Sequence, residues 1–321
     1  MIRLVLFVVL LPACSLLVAE PEGGSETEDG AEPLTNLLDA SGADAELRDL
    51  GPSVSPRRWQ REYTQNSKVD LKTVWCAAPD TVFVAGAAGM ARSSGDGHWS
   101  WMGPRGVRGL HGSGRANVYG FGNGLYHFTG ADFAKVSDTI GFNVVTSLNG
   151  ELWATNGVGV LRGDGMQWQT EFNDVTYQTM AIAFAGEDLF VTSANGAVLH
   201  APKAKNWSIE PVPGAQVLRG VWGASATDVY SVGDKGLFHS AGDGTWTAVL
   251  QANLNAIWGA SSDDIYAVGK EGLVLHYTKG RGWQPELLDF LTAGMNLLSV
   301  HGCSDGSIYV AEEEGVVIHL H

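Results

Sequence analysis

From about residue 71 onward, apolar and polar positions alternate in short bursts, and the bursts recur. "VWGASATDVYSVGDKG" (221–236) returns 36 positions later as "IWGASSDDIYAVGKEG" (257–272). A fixed period of this kind marks a repeat architecture. With the aromatic of "DVY" and the glycine six residues after it as anchors, five more copies appear. Phe83 and Gly89 anchor "TVFVAGAAG", Tyr119 and Gly124 (one residue short) "NVYGFGNG", and Trp153 and Gly159 "ELWATNGVG". Phe190 and Gly196 anchor "DLFVTSANG", and Tyr309 and Gly315 "SIYVAEEEG". The aromatics stand 36, 34, 37, 40, 36 and 43 residues apart.

Each copy predicts four strands. The first is apolar and ends in an aromatic or histidine before a small residue, as in "LKTVWC", "VRGLHG", "LRGVWG", "LNAIWG" and "LLSVHG". The second, of the "DVYSVG" type, alternates and is rich in β-branched and aromatic residues. A glycine turn such as "GDKG" follows. The third reads "GLVLHY", and after a polar turn such as "AGDG" the fourth opens on tryptophan, as in "TWTAV" and "GWQPE". No copy carries the 3.6-residue period of a helical solenoid. Four strands per forty residues are the pattern of propeller blades. The fold class expected is therefore all-β: a seven-bladed β-propeller of four-stranded blades over 56–321. The seventh copy stops at "VVIHLH" with no fourth strand, whereas "RRWQREY" (57–63) precedes the first copy and has the fourth-strand pattern. This N-terminal strand is expected to complete the last blade, with Trp59 beside Val316–Leu320, and so to leave the ring without an open seam.

Composition adds two segments before the ring. "LVLFVVLL" after Met1-Ile2-Arg3 is too short to span a bilayer and suits a signal peptide. It ends in "LPAC", which resembles the bacterial lipobox and makes Cys14 the lipidation candidate, with residues 1–14 as the signal. Two acyl chains would anchor the protein to a membrane surface without a spanning helix. By the same resemblance Ser15 favours the outer membrane; a plain secretory signal is the other reading. Between Glu20 and Asp49 stand ten acids and one base, so 15–55 is expected to be an acidic, disordered tether. The chain as a whole carries −15 at pH 7, which argues against nucleic acid as a partner. With Cys14 lipidated, Cys76 and Cys303 remain, both at first-strand ends in blades that closure makes neighbours. A disulfide there suits an oxidising compartment; two buried free thiols are the alternative.

The repeat "VWGASATDVYSVGDKG…LFHSAGDGTW" resembles those of myxobacterial β-propeller lipoproteins. It is also similar to photosystem II assembly factor-like propellers and, more loosely, to Asp-box repeats. The resemblance implies the fold and little about function.

Candidate chemistry is sparse. There is no HExxH, GxSxG elbow, Walker loop or CxxC pair. His127, His200, His239, His276 and His319 share one slot in the third strands, which Arg92 and Arg162 fill in the other two blades. Slots on neighbouring blades are about 51° apart around a seven-fold ring, too far to share an ion, so these are expected as polar caps within blades. No metal and no cofactor are expected. Trp75, His111, Trp222, Trp258 and His301 end first strands and are expected to pack between blades. Asp96, Asp164 and Asp243 sit in Gly-Asp-Gly turns, where Asp bonds its own backbone.

The remaining constellation is Lys72, Arg108 and Arg219, which begin first strands, with Asn143 and Asn255 in comparable positions. First strands run in one direction, so the five form one rim, suited to an anion such as a uronic acid or a carboxylate-bearing peptide. The loop "PELLDFLTAGMNL" (285–297) is apolar and reads as a short cap on the ring or as a docking patch of Leu288, Phe290, Leu291 and Met295. The function expected is a non-catalytic binding or scaffold module on the cell envelope, monomeric, with a protein partner. A lectin-like propeller that takes a glycan is the first alternative. A sialidase-like glycoside hydrolase is the second, weakened by the lack of an arginine triad with a Tyr–Glu pair.

Overall fold

The computed structural model describes residues 57–64, 70–138, 141–288, 290 and 294–321. Cys14 and the acidic segment lie outside them. Twenty-eight strands form seven four-stranded sheets, a seven-bladed β-propeller. Blades 1 to 6 occupy 71–102, 107–137, 144–173, 179–211, 218–250 and 254–285. Blade 7 consists of Leu297–Gly302, Ile308–Glu312 and Val316–Leu320, with Trp59–Tyr63 as its fourth strand. That strand runs antiparallel to the third, from Trp59 opposite Leu320 to Tyr63 opposite Val316.

The core lies between blades. Second strands such as Thr81–Gly86 are buried along their whole length, because both faces of the sheet meet a neighbour. One cluster joins Leu71, Val74, Val84 and Trp99 of blade 1 to Tyr309 and Val317 of blade 7. At this seam the Sγ atoms of Cys76 and Cys303 are bonded, with Cα atoms 5.4 Å apart.

The glycine that ends "VAG", "SVG" and "AVG" has a steric reason. A Cβ at Gly86, Gly233 or Gly269 would lie about 2 Å from the carbonyl oxygen of Asp70, Val217 or Asn253. Each of those carbonyls belongs to the chain as it enters its own blade. Each accepts the next backbone N–H, from Ala87, Asp234 or Lys270, at 3.0–3.1 Å. No side chain fits between.

Within the blades the third-strand histidines stack on the second-strand aromatics. His276 lies 4.0 Å from Tyr266, His319 4.0 Å from Tyr309 and His200 4.2 Å from Phe190, centroid to centroid. Carboxylates hold the rings in place. His200 is 2.8 Å from Glu210 on the fourth strand and 3.2 Å from Asp188 on the second. His276 is 2.9 Å from Glu286 and 2.7 Å from Asp264. Burial opposes charge on His200 and His276, but these hydrogen bonds outweigh it and raise both pKa values. In blade 3 Arg162 takes the same slot and faces Glu151 and Glu171.

The fourth-strand glutamate also reaches the following blade. Trp246 Nε1 donates to Glu210 Oε2 at 2.8 Å, and Trp99 Nε1 donates to Glu62 Oε2 at 3.0 Å. A buried carboxylate thus joins its own blade to the next and leaves neither oxygen unpaired.

Candidate functional site

First strands line the central channel, and their local geometry decides what faces it. Pairing with the second strand slips by one residue between Leu71 and Thr73, Val107 and Gly109, Leu218 and Gly220, Leu254 and Ala256, and Leu297 and Ser299. The skipped residues are Lys72, Arg108, Arg219, Asn255 and Leu298. A bulge leaves its extra residue out of the ladder and re-aims the side chain. Blade 3 keeps unbroken register from Val144, and Asn143 comes just before it. All five rim residues line a single cavity of about 470 Å³.

Their roles differ. Asn143 Nδ2 donates to the Thr179 carbonyl at 3.3 Å, and Asn255 Nδ2 to the Leu297 carbonyl at 2.9 Å, so each ties its blade to the next. Lys72 is 2.6 Å from Asp70 and 3.5 Å from Glu313, which partly neutralise it. Among the described residues neither Arg108 nor Arg219 has an ion-pair partner. Arg219 Nη1 is buried without a hydrogen-bond acceptor, which is uncommon for a guanidinium donor. Among the described residues no aspartate or glutamate lines the cavity, and the paired carboxylates of a glycoside hydrolase are not found there. The arrangement can attract and hold an anion.

Further along the first strands Trp75, His111, Trp222, Trp258 and His301 line the same cavity and pack against neighbouring blades. Trp75 lies 4.0 Å from His301 and 5.0 Å from His111 between ring centroids, and Trp258 lies 5.5 Å from His301. Each ring covers the residue after the equivalent ring of the next blade. A Cβ at Gly259 would lie 2.5 Å from the Trp222 ring, and one at Gly302 2.1 Å from the Trp258 ring. His111 Nε2 lies 2.8 Å from Ser147 Oγ, and the Cys76 N–H donates to His301 Nδ1 at 3.2 Å. Burial lowers the pKa of His111 to about 4 and that of His301 to about 3, so both are neutral near pH 7. Positive charge is confined to the mouth.

In the apolar loop the described residues Leu288 and Phe290 pack against the ring. Leu288 is 8% exposed and packs with Leu297 and Val300. Phe290 packs on the same cluster, under Arg61, whose guanidinium lies 5.4 Å from the ring and donates to the Phe290 carbonyl at 2.6 Å. Met295 is half-buried, and Leu291 lies outside the described residues. Leu288 and Phe290 join the cluster shared by blades 6 and 7, and among the loop's described residues Leu287 is the exposed large apolar side chain.

The Gly-Asp-Gly turns close locally: Asp96 accepts the His98 N–H at 3.0 Å, Asp164 that of Met166 at 2.9 Å and Asp243 that of Thr245 at 2.9 Å. Among the described residues no group of three or more His, Cys, Asp or Glu side chains is placed to hold a metal. Sequence reading overlooked the fourth-strand glutamates. Their signal was the repeated Trp-x-x-Glu of Trp59–Glu62, Trp168–Glu171, Trp207–Glu210 and Trp283–Glu286.

No family model and no curated protein matches the chain. Among solved structures it is similar to YCF48 bound to a D1 peptide, at 14% identity and TM-score 0.67, over 82% of this chain and 96% of that one. It is similar to virginiamycin B lyase from Staphylococcus aureus, crystallised in catalytically inactive form with quinupristin, at 16% identity and TM-score 0.69, over 82% and 99%. It is also similar to the WD40 β-propeller domain of Doa1, at 12% identity and TM-score 0.62, over 81% and 97%. At these identities the likeness establishes a shared propeller fold, one that serves binding proteins and an enzyme alike.

Proposed function

We propose that this chain is a cell-envelope lipoprotein, anchored through Cys14 and leashed by 15–55, whose propeller is a non-catalytic binding module for a protein partner. The contact is made at the channel mouth, with a carboxylate-bearing peptide segment of that partner. The observation that carries this reading is the pair of unneutralised arginines, Arg108 and Arg219, aimed by bulges into a cavity whose lining has no carboxylate. An anion there gains charge-assisted, bidentate hydrogen bonds and gives Arg219 Nη1 the acceptor it lacks. YCF48 in complex with a peptide supports a peptide ligand on this kind of scaffold.

Arrays of acidic peptides and of glycans, probed with the full-length protein, test it. Retention of carboxylate-bearing peptides, and its loss with Lys72, Arg108 and Arg219 changed to alanine, is the expected result. Glycan binding without peptide binding would replace this reading with the lectin-like one. Loss of a lipid mass shift in Cys14→Ala tests the anchor.

A further inference from the structure

We propose that the blade 7 seam carries a divalent-metal site, suited to zinc, nickel or copper, built on His319 and His321. In four other blades the third-strand histidine has an acceptor for Nε2. His200 has Asp188 at 3.2 Å, His239 Asp228 at 2.9 Å, His276 Asp264 at 2.7 Å and His127 Asn117 Oδ1 at 2.7 Å. Each acceptor stands two residues before the second-strand aromatic. In blade 7 that position is Ser307, and His319 Nε2 has no partner although the residue is only 5% exposed. An orphaned ring nitrogen in a buried residue calls for an occupant.

The other nitrogen fixes what kind. His319 Nδ1 lies 2.8 Å from Glu62 Oε1, a contact that places a proton on Nδ1, so in the neutral ring the lone pair is on Nε2. A carboxylate behind Nδ1–H with Nε2 free is the arrangement that orients metal-ligating histidines. His321 stands two residues on, the spacing that returns to the same face of a strand. Its ring centroid is 5.1 Å from that of His319. Two imidazoles on one tetrahedral ion, with Zn–N of ~2.0–2.1 Å, place their ring centres about 5 Å apart. The Gln60 amide nitrogen lies 2.6 Å from His321 Nδ1 and 2.8 Å from its Nε2, so an ion takes one of these nitrogens in place of Gln60. Both histidines line a groove of about 630 Å³ whose walls carry three carboxylates, Glu62, Asp96 and Asp305, against one cation, Arg61, a balance that favours a cation. With two protein ligands, water completes the shell, and the imidazole donors select zinc, nickel or copper over magnesium or calcium.

Two variants separate the site from the fold. His321→Ala leaves the Glu62–His319 pair in place, and Ser307→Asp supplies the acceptor that blades 4, 5 and 6 already have. Calorimetric titration of the full-length protein with ZnCl₂ and NiCl₂, with circular dichroism of each variant as the check on folding, reads the outcome. The wild-type protein is expected to bind one ion at this site and to melt at a higher temperature with metal. Each variant is expected to weaken that binding step at least tenfold. Absence of a one-ion step in the wild type, or an unchanged step in either folded variant, overturns the proposal.

Discussion

The two ends of the channel are built from the same seven strands and differ in what their side chains do. At the floor every aromatic or histidine named above is engaged with the following blade: Trp222 on Gly259, Trp258 on Gly302, His111 with Ser147 and His301 with the Cys76 N–H. At the mouth, three residues further back on each first strand, Arg108 and Arg219 have no ion-pair partner among the described residues, and Arg219 Nη1 is buried and unmatched. The floor holds the ring together, although Trp75 Nε1 is buried there without a partner, whereas the mouth carries two arginines that no carboxylate among the described residues neutralises, as a surface made for an anion would. Substitutions should therefore separate stability from binding according to the end at which they are made.

The largest effect belongs to the floor. Trp258→Ala removes a large side chain packed on Gly302 and should cost about 3–5 kcal/mol, read as the loss in chemical denaturation midpoint at constant slope. A cost below 1 kcal/mol would mean that the ring is decorative. Next is the nearby disulfide. Cys76→Ser with Cys303→Ser opens a closure across 227 positions and should cost about 2–4 kcal/mol. An unchanged melting temperature in non-reducing buffer would show that the bond adds nothing at this seam.

Acidity should act on the floor and leave the mouth unaffected. Folded His111 and His301 refuse protons down to about pH 4 and 3, whereas the unfolded chain takes them up near ~6.5. The unfolded state then binds more protons, so stability falls as pH drops from ~6.5 toward those values. His200 and His276 act in the opposite sense. Their raised values stabilise the fold below ~6.5, and this contribution is lost as pH climbs through them. Melting temperature should therefore peak near pH ~6.5. His301→Asn should flatten the acid limb, and His276→Gln the alkaline one. An acid limb unchanged by His301→Asn would contradict the floor assignment. The smallest effect belongs to the mouth: Arg108→Ala should shift stability by less than about 0.5 kcal/mol, as an exposed side chain without partners does.

Much of this was legible in the chain. Seven copies, four strands each and the borrowed strand 57–63 follow from aromatics, glycines and tryptophans that recur because every blade meets the same neighbours. The rim was legible as a set of strand-opening residues. Its division was not: the bulge at Lys72, Arg108 and Arg219 leaves no mark in residue type, and nothing in Asn143 or Asn255 announces a bond to the next blade. The loop 285–297 stayed open between cap and docking patch because composition records that Leu288 and Phe290 are apolar but not which way they face. His319 looked like its four counterparts because the difference lies at Ser307, across the sheet, and becomes visible only once strands are paired.

The most direct test of the mouth is an anisotropy titration of the full-length protein with a fluorescent peptide ending in a free carboxylate, beside its amidated counterpart. The wild type should prefer the free acid, more strongly at low salt, and Arg108→Ala with Arg219→Ala should weaken it at least tenfold without a change in melting temperature. Equal affinity of the folded double variant for the free acid, or no preference of the wild type over the amide, would contradict the assignment of the mouth as an anion-binding site.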